Sequence, residues 1–472
     1  MATINTSYYP NRKYSIQGED GSSGAVDMRA EEATFYYPWD VSKQSSSNGT
    51  AFGAVFIVVN AALGAGLLSL PLAFYQAGGV TQGIAIELVL LVFVISSVLV
   101  LAYGAELKHK TTYEDTVEAV CGPVVKLVAE ICLLAFCFGS NITYLVIVGD
   151  QLEDMSSGII QSLNLTANET NHIKSSFYVD RRFIIAIVAC VFILPWLFFK
   201  KIGVLSYTSF LAVLCCFYIA AVVTTRHFIG TTDCEVSTTQ VHCSRSWPDV
   251  VNAIPFICFG YQCHVSSIPI YVGLKKRTVK RFFFIIVFAV LICFVVYTLT
   301  GTFGYLTFVP GTCIQSDILR NYCNKDILVD VARGLLALVM VTSYPILTFC
   351  GRTPLDSILV KLFRVCRLSI SHDKYKWARL RIESLIWFVI TLALAILVEQ
   401  ISNVVSLTGG LAATFIFVFP GMMIIQFALS SKTHSHVKKT FFVAYGCFII
   451  VIGSFIFGNS LVYTILLDSK LI

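Results

Sequence analysis

Long apolar segments follow one another along residues 51–466 of the chain. An α-helix needs about 20 apolar residues to cross the hydrocarbon core of a bilayer, and a spanning structure must satisfy all of its own backbone hydrogen bonds. Charged residues make up only 13% of the 472 residues, about half the fraction found in a soluble domain. The sequence therefore predicts an all-α membrane protein with eleven transmembrane helices, at approximately 51–76, 81–105, 125–149, 183–199, 203–228, 249–271, 282–309, 327–350, 384–400, 403–430 and 440–466.

The basic residues of the loops predict how these helices are oriented. Short cytoplasmic loops carry an excess of Lys and Arg, and in this chain the loops on one side contain basic runs such as 275–281. This asymmetry predicts a cytoplasmic N-terminus, and the odd number of spans then places residues 467–472 in the lumen. The opposite loop 150–182 contains sequons that begin at Asn164 and Asn168, so we predict glycosylation at both residues.

Two polar segments lie outside the predicted spans. Residues 1–50 are rich in Ser, Gly and acidic residues and contain no apolar stretch typical of a cleavable signal peptide. Such a composition predicts a disordered cytoplasmic tail, available to a cytosolic partner, before a transporter domain at 51–466. The basic segment 351–383 is expected to lie along the inner leaflet, attracted to anionic lipid; a solvated helix is the alternative.

The first span, residues 56–76, reads FIVVNAALGAGLLSLPLAFYQ and is interrupted by polar and glycine residues. Each glycine weakens a helix by about 1 kcal/mol relative to Ala. Unwound backbone in a membrane is tolerated where it lines a cavity, and transporters bind substrate and ion at such breaks. We predict a broken first helix, with substrate contacts at Asn60, Leu63, Gly64, Ala65 and Gly66. A close helix crossing at small residues is the alternative.

The sixth span contains a second polar interruption, after Gly260. An ionisable residue within a span indicates a functional site, and imidazole changes charge near physiological pH. We expect a second broken helix and add Gly260, Tyr261 and His264 to the predicted substrate site. A histidine hydrogen-bonded between helices is the alternative for His264.

The two interrupted spans are each the first of five if spans one to five and six to ten form equivalent halves. Interrupted helices at corresponding positions indicate a binding site near the bilayer midplane, between inverted repeats. The eleventh span would be an addition to these repeats.

The eighth span contains Thr342 and Ser343 shortly before Pro345. The proline leaves the carbonyl of Val341 without its helical donor, and hydroxyl and carbonyl oxygens are ligands for hard cations. The sequence favours a site for an alkali cation formed by Asn60, Thr342 and Ser343. Hydroxyls that bond to carbonyls of their own helix are the alternative.

Four of the sixteen cysteines lie in loops on the predicted non-cytoplasmic side, where disulfides form. They allow three connectivities, of which the pair Cys234–Cys243 is favoured, and all three stay open. Neither a catalytic triad, a paired-carboxylate site, a phosphate-binding loop nor a nucleic-acid patch is evident in the sequence. We therefore predict neither an enzyme nor a nucleic-acid-binding protein, and no cofactor besides a coupling ion.

Three segments resemble the amino acid/auxin permease family: VVNAALGAGLLSLPLAF at 58–74, FGYQCHVSSIPIY at 259–271 and VTSYPILTFCGR at 341–352. Within it they are most similar to the sodium-coupled neutral amino acid transporters. The resemblance covers residues 51–466. It implies a LeuT-like fold of five-plus-five inverted repeats with one further helix, and Na⁺-coupled transport of neutral amino acids such as glutamine and asparagine.

The resemblance also implies roles for single residues. The first-span asparagine of the family matches Asn60, its glycine-rich break matches Gly64 to Gly66, and its eighth-span hydroxyl ligand matches Thr342 or Ser343. Cys234 and Cys243 match a disulfide that many relatives carry between the fifth and sixth spans. A lysosomal membrane location is implied, with the plasma membrane as the alternative.

Two further functions remain open from the sequence. One is an amino acid transporter coupled to H⁺ through His264 or a buried acid. The other is a membrane sensor that binds an amino acid and signals through the tail 1–50 with little flux.

Overall fold

The residues that the computed structural model describes are mainly helical, and no strand occurs among them. The described ranges are 51–162, 180–197, 205–230, 247–275, 277–309, 314–323, 326–365, 376–398, 401–430 and 435–468. The α-helices are α1 (Ala51–Ala62), α2 (Gly66–Ala77), α3 (Val80–Lys108), α4 (Tyr113–Cys121), α5 (Pro123–Ser162), α6 (Arg181–Val188), α7 (Leu194–Leu197), α8 (Leu205–Ile229), α9 (Trp247–Gly260), α10 (His264–Val272), α11 (Val279–Phe308), α12 (Ile327–Val365), α13 (Lys376–Leu397), α14 (Ile401–Ala413), α15 (Phe419–Ser430) and α16 (His436–Asp468). The π-helical turns Ala189–Ile193 and Thr414–Val418 continue α6 into α7 and α14 into α15.

Among the described residues, eight helical segments are long and apolar enough to cross a membrane. They are α3, α5, α8, α11, α12, α13, the α14–α15 segment and α16. The α1–α2 pair, bent by 58° at its break, raises this number to nine. The predicted spans 183–199 and 249–271 are helical in shorter pieces, so the structure supports eight or nine of the eleven predicted spans by length and composition.

Three helices extend well beyond the predicted spans. α5 continues from the predicted end at 149 to Ser162. α12 continues to Val365 with Pro354 inside it, and α13 begins at Lys376. Residues 351–365 and 376–383 of the predicted inner-leaflet segment 351–383 are thus helical and continuous with α12 and α13, and their position at the leaflet stays a prediction. An interior proline removes one hydrogen bond and kinks a helix, and α12 continues past Pro354.

Several predicted features lie outside the described residues: the tail 1–50, Asn164, Asn168, Cys234 and Cys243. Cys323 is disulfide-bonded. A bond at Cys323 is common to all three connectivities of the four loop cysteines, so the predicted pair Cys234–Cys243 stays a prediction.

The broken helices pack at the centre of the described bundle. α9 packs against α2 and α14, α11 packs against α2 and α3, and α12 lies along α5. Small residues permit the closest of these approaches. A Cβ atom on Gly409 of α14 would lie 2.0 Å from the carbonyl oxygen of Pro255 in α9, so only glycine fits at that crossing.

A polar cap lies where α5, α12 and the segment 314–323 meet. We define it as Asp150, Asp154, Arg181, the segment 314–323 and Arg333. Arg181 Nε lies 2.5 Å from Asp150 Oδ1, and Arg320 lies 3.4 Å from both Asp150 and Asp154. Ser69 of α2 donates a hydrogen bond of 3.0 Å to the Ser316 carbonyl. The cap therefore connects the broken first helix to α5.

Arg333→Met tests how much the polar cap stabilises the fold. The Arg333 side chain is fully buried and donates to Asp330 and to the carbonyls of Leu319 and Tyr322, so methionine removes three hydrogen bonds. The Leu319 carbonyl keeps the Tyr322 amide as a donor. We expect a loss of about 3–5 kcal/mol in the free energy of unfolding, measured as a lower thermal midpoint in detergent. Arg182→Met is the control, because Arg182 is exposed. Equal midpoints for the two variants would contradict a stabilising role for the cap.

Candidate functional site

The first break lies between Ala62, the last residue of α1, and Gly66, the first residue of α2. The amides of Gly64 and Ala65 donate to no acceptor among the described residues, and the first amides of a helix have no partner within it. The break therefore presents unpaired amides at the N-terminus of α2, where the helix dipole favours an anionic group.

The second break lies between Gly260, the last residue of α9, and His264, the first residue of α10. Tyr261 and Cys263 are buried within it. The side-chain amide nitrogen of Gln262 is buried and has no hydrogen-bond partner in the described part of the chain. This break therefore also holds polar groups that are not satisfied by the helices on either side.

The two breaks touch each other. A Cβ atom on Gly66 would lie 2.5 Å from the Gly260 Cα and 2.9 Å from its nitrogen, so α2 and the end of α9 meet backbone to backbone. The Tyr297 hydroxyl of α11 lies 2.8 Å from the Ala62 carbonyl and 2.8 Å from the Gly260 carbonyl. This hydroxyl has one proton, so it donates to one of the two carbonyls at a time.

His264 joins the second break to α3. Its Nε2 lies 2.6 Å from Ser97 Oγ and its Nδ1 lies 2.9 Å from Gln262 Oε1, and the ring is fully buried. A neutral imidazole, with one donor and one acceptor nitrogen, fits these two partners once the hydroxyl and amide are oriented to match. The described contacts of His264 are thus those of a histidine hydrogen-bonded between helices.

The predicted ion ligands lie on two helices, α1 and α12. Asn60 of α1 donates from Nδ2 to Ser209 Oγ of α8 at 3.1 Å. Thr342 of α12 donates to the Val339 carbonyl of its own helix at 3.0 Å. Among the described residues, no hydrogen bond links Asn60 to Thr342 or Ser343. The structure therefore brings Gly66 and Gly260 together and leaves the Na⁺ site a proposal.

Sequence reasoning missed three polar side chains near the breaks: Tyr297, Ser209 and Tyr144. The Tyr144 hydroxyl of α5 lies 3.5 Å from the position of a Cβ on Gly64. All three are single polar residues in apolar spans, and a tyrosine or serine in a transmembrane helix is too common to indicate a site. Their partners lie on other helices, and only the packing identifies them.

A cavity of about 280 Å³ opens in the polar cap and includes residues of neither break. Its lining residues are Asp150, Gln315, Ser316, Asp317, Arg320, Ile401 and Ser402. Burial raises the pKa of Asp317 to about 7, and the charge of Asp150 adds to this effect while the Leu319 amide opposes it. Gln151 donates a hydrogen bond to Asp317. The cavity therefore contains a carboxyl group that changes charge near neutral pH.

The sequence matches the model of a family described as "transmembrane amino acid transporter protein" along residues 47–466. The chain belongs to this transporter family. The match includes every described helix up to the last turn of α16, so the breaks lie within the family region. Its known relatives are named as transporters, which agrees with the prediction that the chain is not an enzyme.

Curated relatives of this transporter match over most of its length. The zebrafish (Danio rerio) protein named sodium-coupled neutral amino acid transporter 7 is 38% identical, and the match covers 94% of this chain and 93% of the relative. The human (Homo sapiens) protein of the same name is 38% identical over 91% of both chains. Human solute carrier family 38 member 8 is 33% identical over 87% of this chain and 92% of its own.

The fold is also found in a solved structure. MhsT, solved in complex with L-phenylalanine, has a TM-score of 0.53 and 14% sequence identity, covering 87% of this chain and 98% of MhsT. At that identity the likeness concerns the fold alone. It supports the expected LeuT-like architecture for the transporter.

Gly66→Ala tests the contact between the breaks in this transporter. The new Cβ would overlap the backbone of Gly260, and no side-chain rotation relieves that overlap. We expect a cost of about 1–3 kcal/mol, seen as a lower thermal midpoint and a smaller monodisperse fraction. Gly64→Ala is the control, because its Cβ meets only the Tyr144 hydroxyl at 3.5 Å. A Gly66→Ala protein as stable as the control would contradict the close approach.

Tyr297→Phe tests the shared hydroxyl. The ring stays, and the Ala62 and Gly260 carbonyls lose their common donor. We expect a loss of about 1 kcal/mol in stability and slower amino acid uptake, because the ends of both half-helices are held less firmly. Tyr218→Phe is the control, since its hydroxyl contacts only the Leu328 carbonyl at the exposed edge of α8. If Tyr297→Phe takes up amino acid as fast as the wild type, the Tyr297 hydroxyl has no role in the site.

Proposed function

We propose that this chain is a secondary active transporter of neutral amino acids, with glutamine and asparagine favoured, that works by alternating access and is driven by Na⁺. The observation that carries the proposal is the meeting of two broken helices at Gly66 and Gly260, in a chain of the transmembrane amino acid transporter family. Broken helices that meet in this way supply unpaired backbone groups for a substrate and an ion.

The substrate carboxylate would bind at the first break. The unpaired amides of Gly64 and Ala65 and the N-terminus of α2 offer donors and a positive dipole end. Leu63, Tyr261 and the glycines Gly66 and Gly260 would surround the rest of a small zwitterion. His264 would position the second break through Ser97 and Gln262 rather than touch the substrate.

The coupling ion would bind beside the substrate. Asn60 uses its amide nitrogen on Ser209, which leaves the carbonyl oxygen Oδ1 for a cation. The Thr342 hydroxyl donates its proton to Val339, and its oxygen retains lone pairs. With Ser343, these oxygens make a ligand set suited to Na⁺, provided that α1 and α12 approach in the loaded state.

The relatives support the finer parts of the proposal. Two of them are named sodium-coupled neutral amino acid transporter 7, and for this chain we propose the same coupling and substrate class. We further propose that α6–α7 and the α9–α10 pair also cross the membrane, which gives eleven spans in a five-plus-five inverted repeat. The membrane would be lysosomal, with the N-terminus cytoplasmic and the C-terminus lumenal.

Uptake of radiolabelled glutamine into proteoliposomes tests the proposal. With an imposed Na⁺ gradient we expect accumulation above equilibrium, and Asn60→Ala should reduce it at least tenfold, because a carbonyl ligand of the ion is lost. Asn459→Ala is the control, since Asn459 is an amide that bonds to Asn252 at another helix contact. Equal Na⁺ dependence in the two variants would contradict the Asn60 site.

Two other outcomes would replace the proposal. Saturable binding of glutamine without accumulation under any gradient would favour a membrane sensor. Accumulation under a pH gradient alone would show that a proton drives transport.

A further inference from the structure

Glu87 is a fully buried carboxyl group in the candidate span α3. Its Oε2 accepts a hydrogen bond of 2.9 Å from the Thr298 hydroxyl of α11. Its Oε1 is buried and has no partner in the described part of the chain. An unpaired polar group in a membrane interior is costly and is retained chiefly where it has a function.

Three other buried acids of the transporter pair with a cation. Glu130 pairs with Lys361, at 2.8 Å. Asp326 pairs with Arg226 at 2.5 Å, and Asp356 pairs with Arg379 at 2.7 Å. Among the described residues, no Lys, Arg or His pairs with Glu87. The charged form of Glu87 therefore needs a bound cation to compensate it. A bound proton instead removes the charge altogether.

The neighbours of Glu87 confirm that no basic group faces it. α11 presents Tyr297 and Thr298, and Tyr261 at the second break is close enough for the Glu87 charge to act on its hydroxyl. α2, α15 and the turn Thr414–Val418 contain no acidic or basic residue.

The remaining charged groups packed against α3 lie further along it. His264 of α10 meets α3 at Ser97, ten residues or about 15 Å from Glu87. Tyr271 and Arg277 bind Glu106 near the other end of the helix. The acids of α4, Glu114, Asp115 and Glu118, belong to the helix that follows that end.

We propose that Glu87 is the proton-binding residue of this transporter, and that it takes up and releases one proton in each transport cycle. The inference rests on the proposed transport activity and adds a second coupling ion, H⁺, to it. Binding converts the Glu87 carboxylate into the neutral acid: an O–H bond forms at Oε1 with a proton taken from water on one side of the membrane. The bond breaks when the proton leaves to water on the other side.

The position of Glu87 explains how its charge would act on the breaks. Its donor Thr298 adjoins Tyr297, whose hydroxyl contacts the carbonyls of Ala62 and Gly260. The Tyr261 hydroxyl at the second break is buried, has no partner in the described structure and lies within reach of the Glu87 charge. A charged Glu87 would attract this donor, and a protonated Glu87 would release it. Protonation therefore biases the conformation of the second break.

Proteoliposomes containing a pH-sensitive dye test this role. Glutamine added to wild-type vesicles should move protons across the membrane. Because burial moves the titration of a carboxyl group upward, the rate of flux should change between about pH 5 and about pH 8. Glu87→Gln keeps the shape of the side chain and cannot bind the proton. We expect it to show no glutamine-dependent proton movement, and the glutamine flux that it retains should have a flat pH profile.

Matched variants separate this role from a structural one. Glu118→Gln removes a partly exposed carboxylate paired with Lys126 and should behave as wild type. Glu87→Asp keeps a carboxyl and should restore proton movement. Thr298→Val removes the one donor that the described residues offer the carboxylate and should move the pH profile of flux toward alkaline pH by about one pH unit. That last variant tests the role even if Glu87→Gln does not fold.

Three results would overturn the inference. Proton movement in Glu87→Gln equal to wild type would place the proton elsewhere. Wild-type flux without proton movement would exclude proton coupling. A loss of Na⁺ dependence in Glu87→Gln, with proton movement unchanged, would identify Glu87 as a Na⁺ ligand. Absence of wild-type counterflow would instead contradict the proposed transport function.

Discussion

The backbone contact between Gly66 and Gly260 is the constraint on which the rest of the structure depends. The two half-helices approach so closely that a single methyl group on Gly66 has no space. Protein interiors do not yield to such an overlap without a shift of whole elements. The Tyr297 hydroxyl then joins the ends of α1 and α9 from a third helix. One point of the bundle thus determines the position of both breaks.

The breaks are costly, and their cost explains their chemistry. An unpaired amide or carbonyl in an apolar medium costs several kcal/mol, and the amides of Gly64 and Ala65 are of this kind. A ligand that accepts hydrogen bonds from them recovers much of that cost. The same reasoning applies to Glu87, whose Oε1 is buried without a partner in the described structure and whose charge acts on the unpartnered Tyr261 hydroxyl. Binding capacity and local instability arise from the same atoms.

The sequence predicted the position of the first break because Asn60, Gly64 and Gly66 interrupt an otherwise apolar helix, a local signal. It also located the second break near Gly260. The lengths of α5 and α12 were not predictable, since a helix can continue past an apolar segment or past Pro354 when neighbours support it. Tyr297, Ser209 and Glu87 were missed or left without a role because their partners lie more than 100 residues away. Hydropathy and spacing contain no information on such pairs.

The broken first helix also has a consequence for biosynthesis. α1 and α2 contain 12 residues each, so each is about 18 Å long and too short for a hydrocarbon core of about 30 Å. Neither half can enter the bilayer as an independent span. The hydroxyl that closes the break follows Ala62 by 235 residues, which a ribosome takes roughly 10–50 s to add. The newly made first span therefore lacks this hydrogen bond at first, and its break can be held by the Tyr297 hydroxyl only after α11 has been inserted.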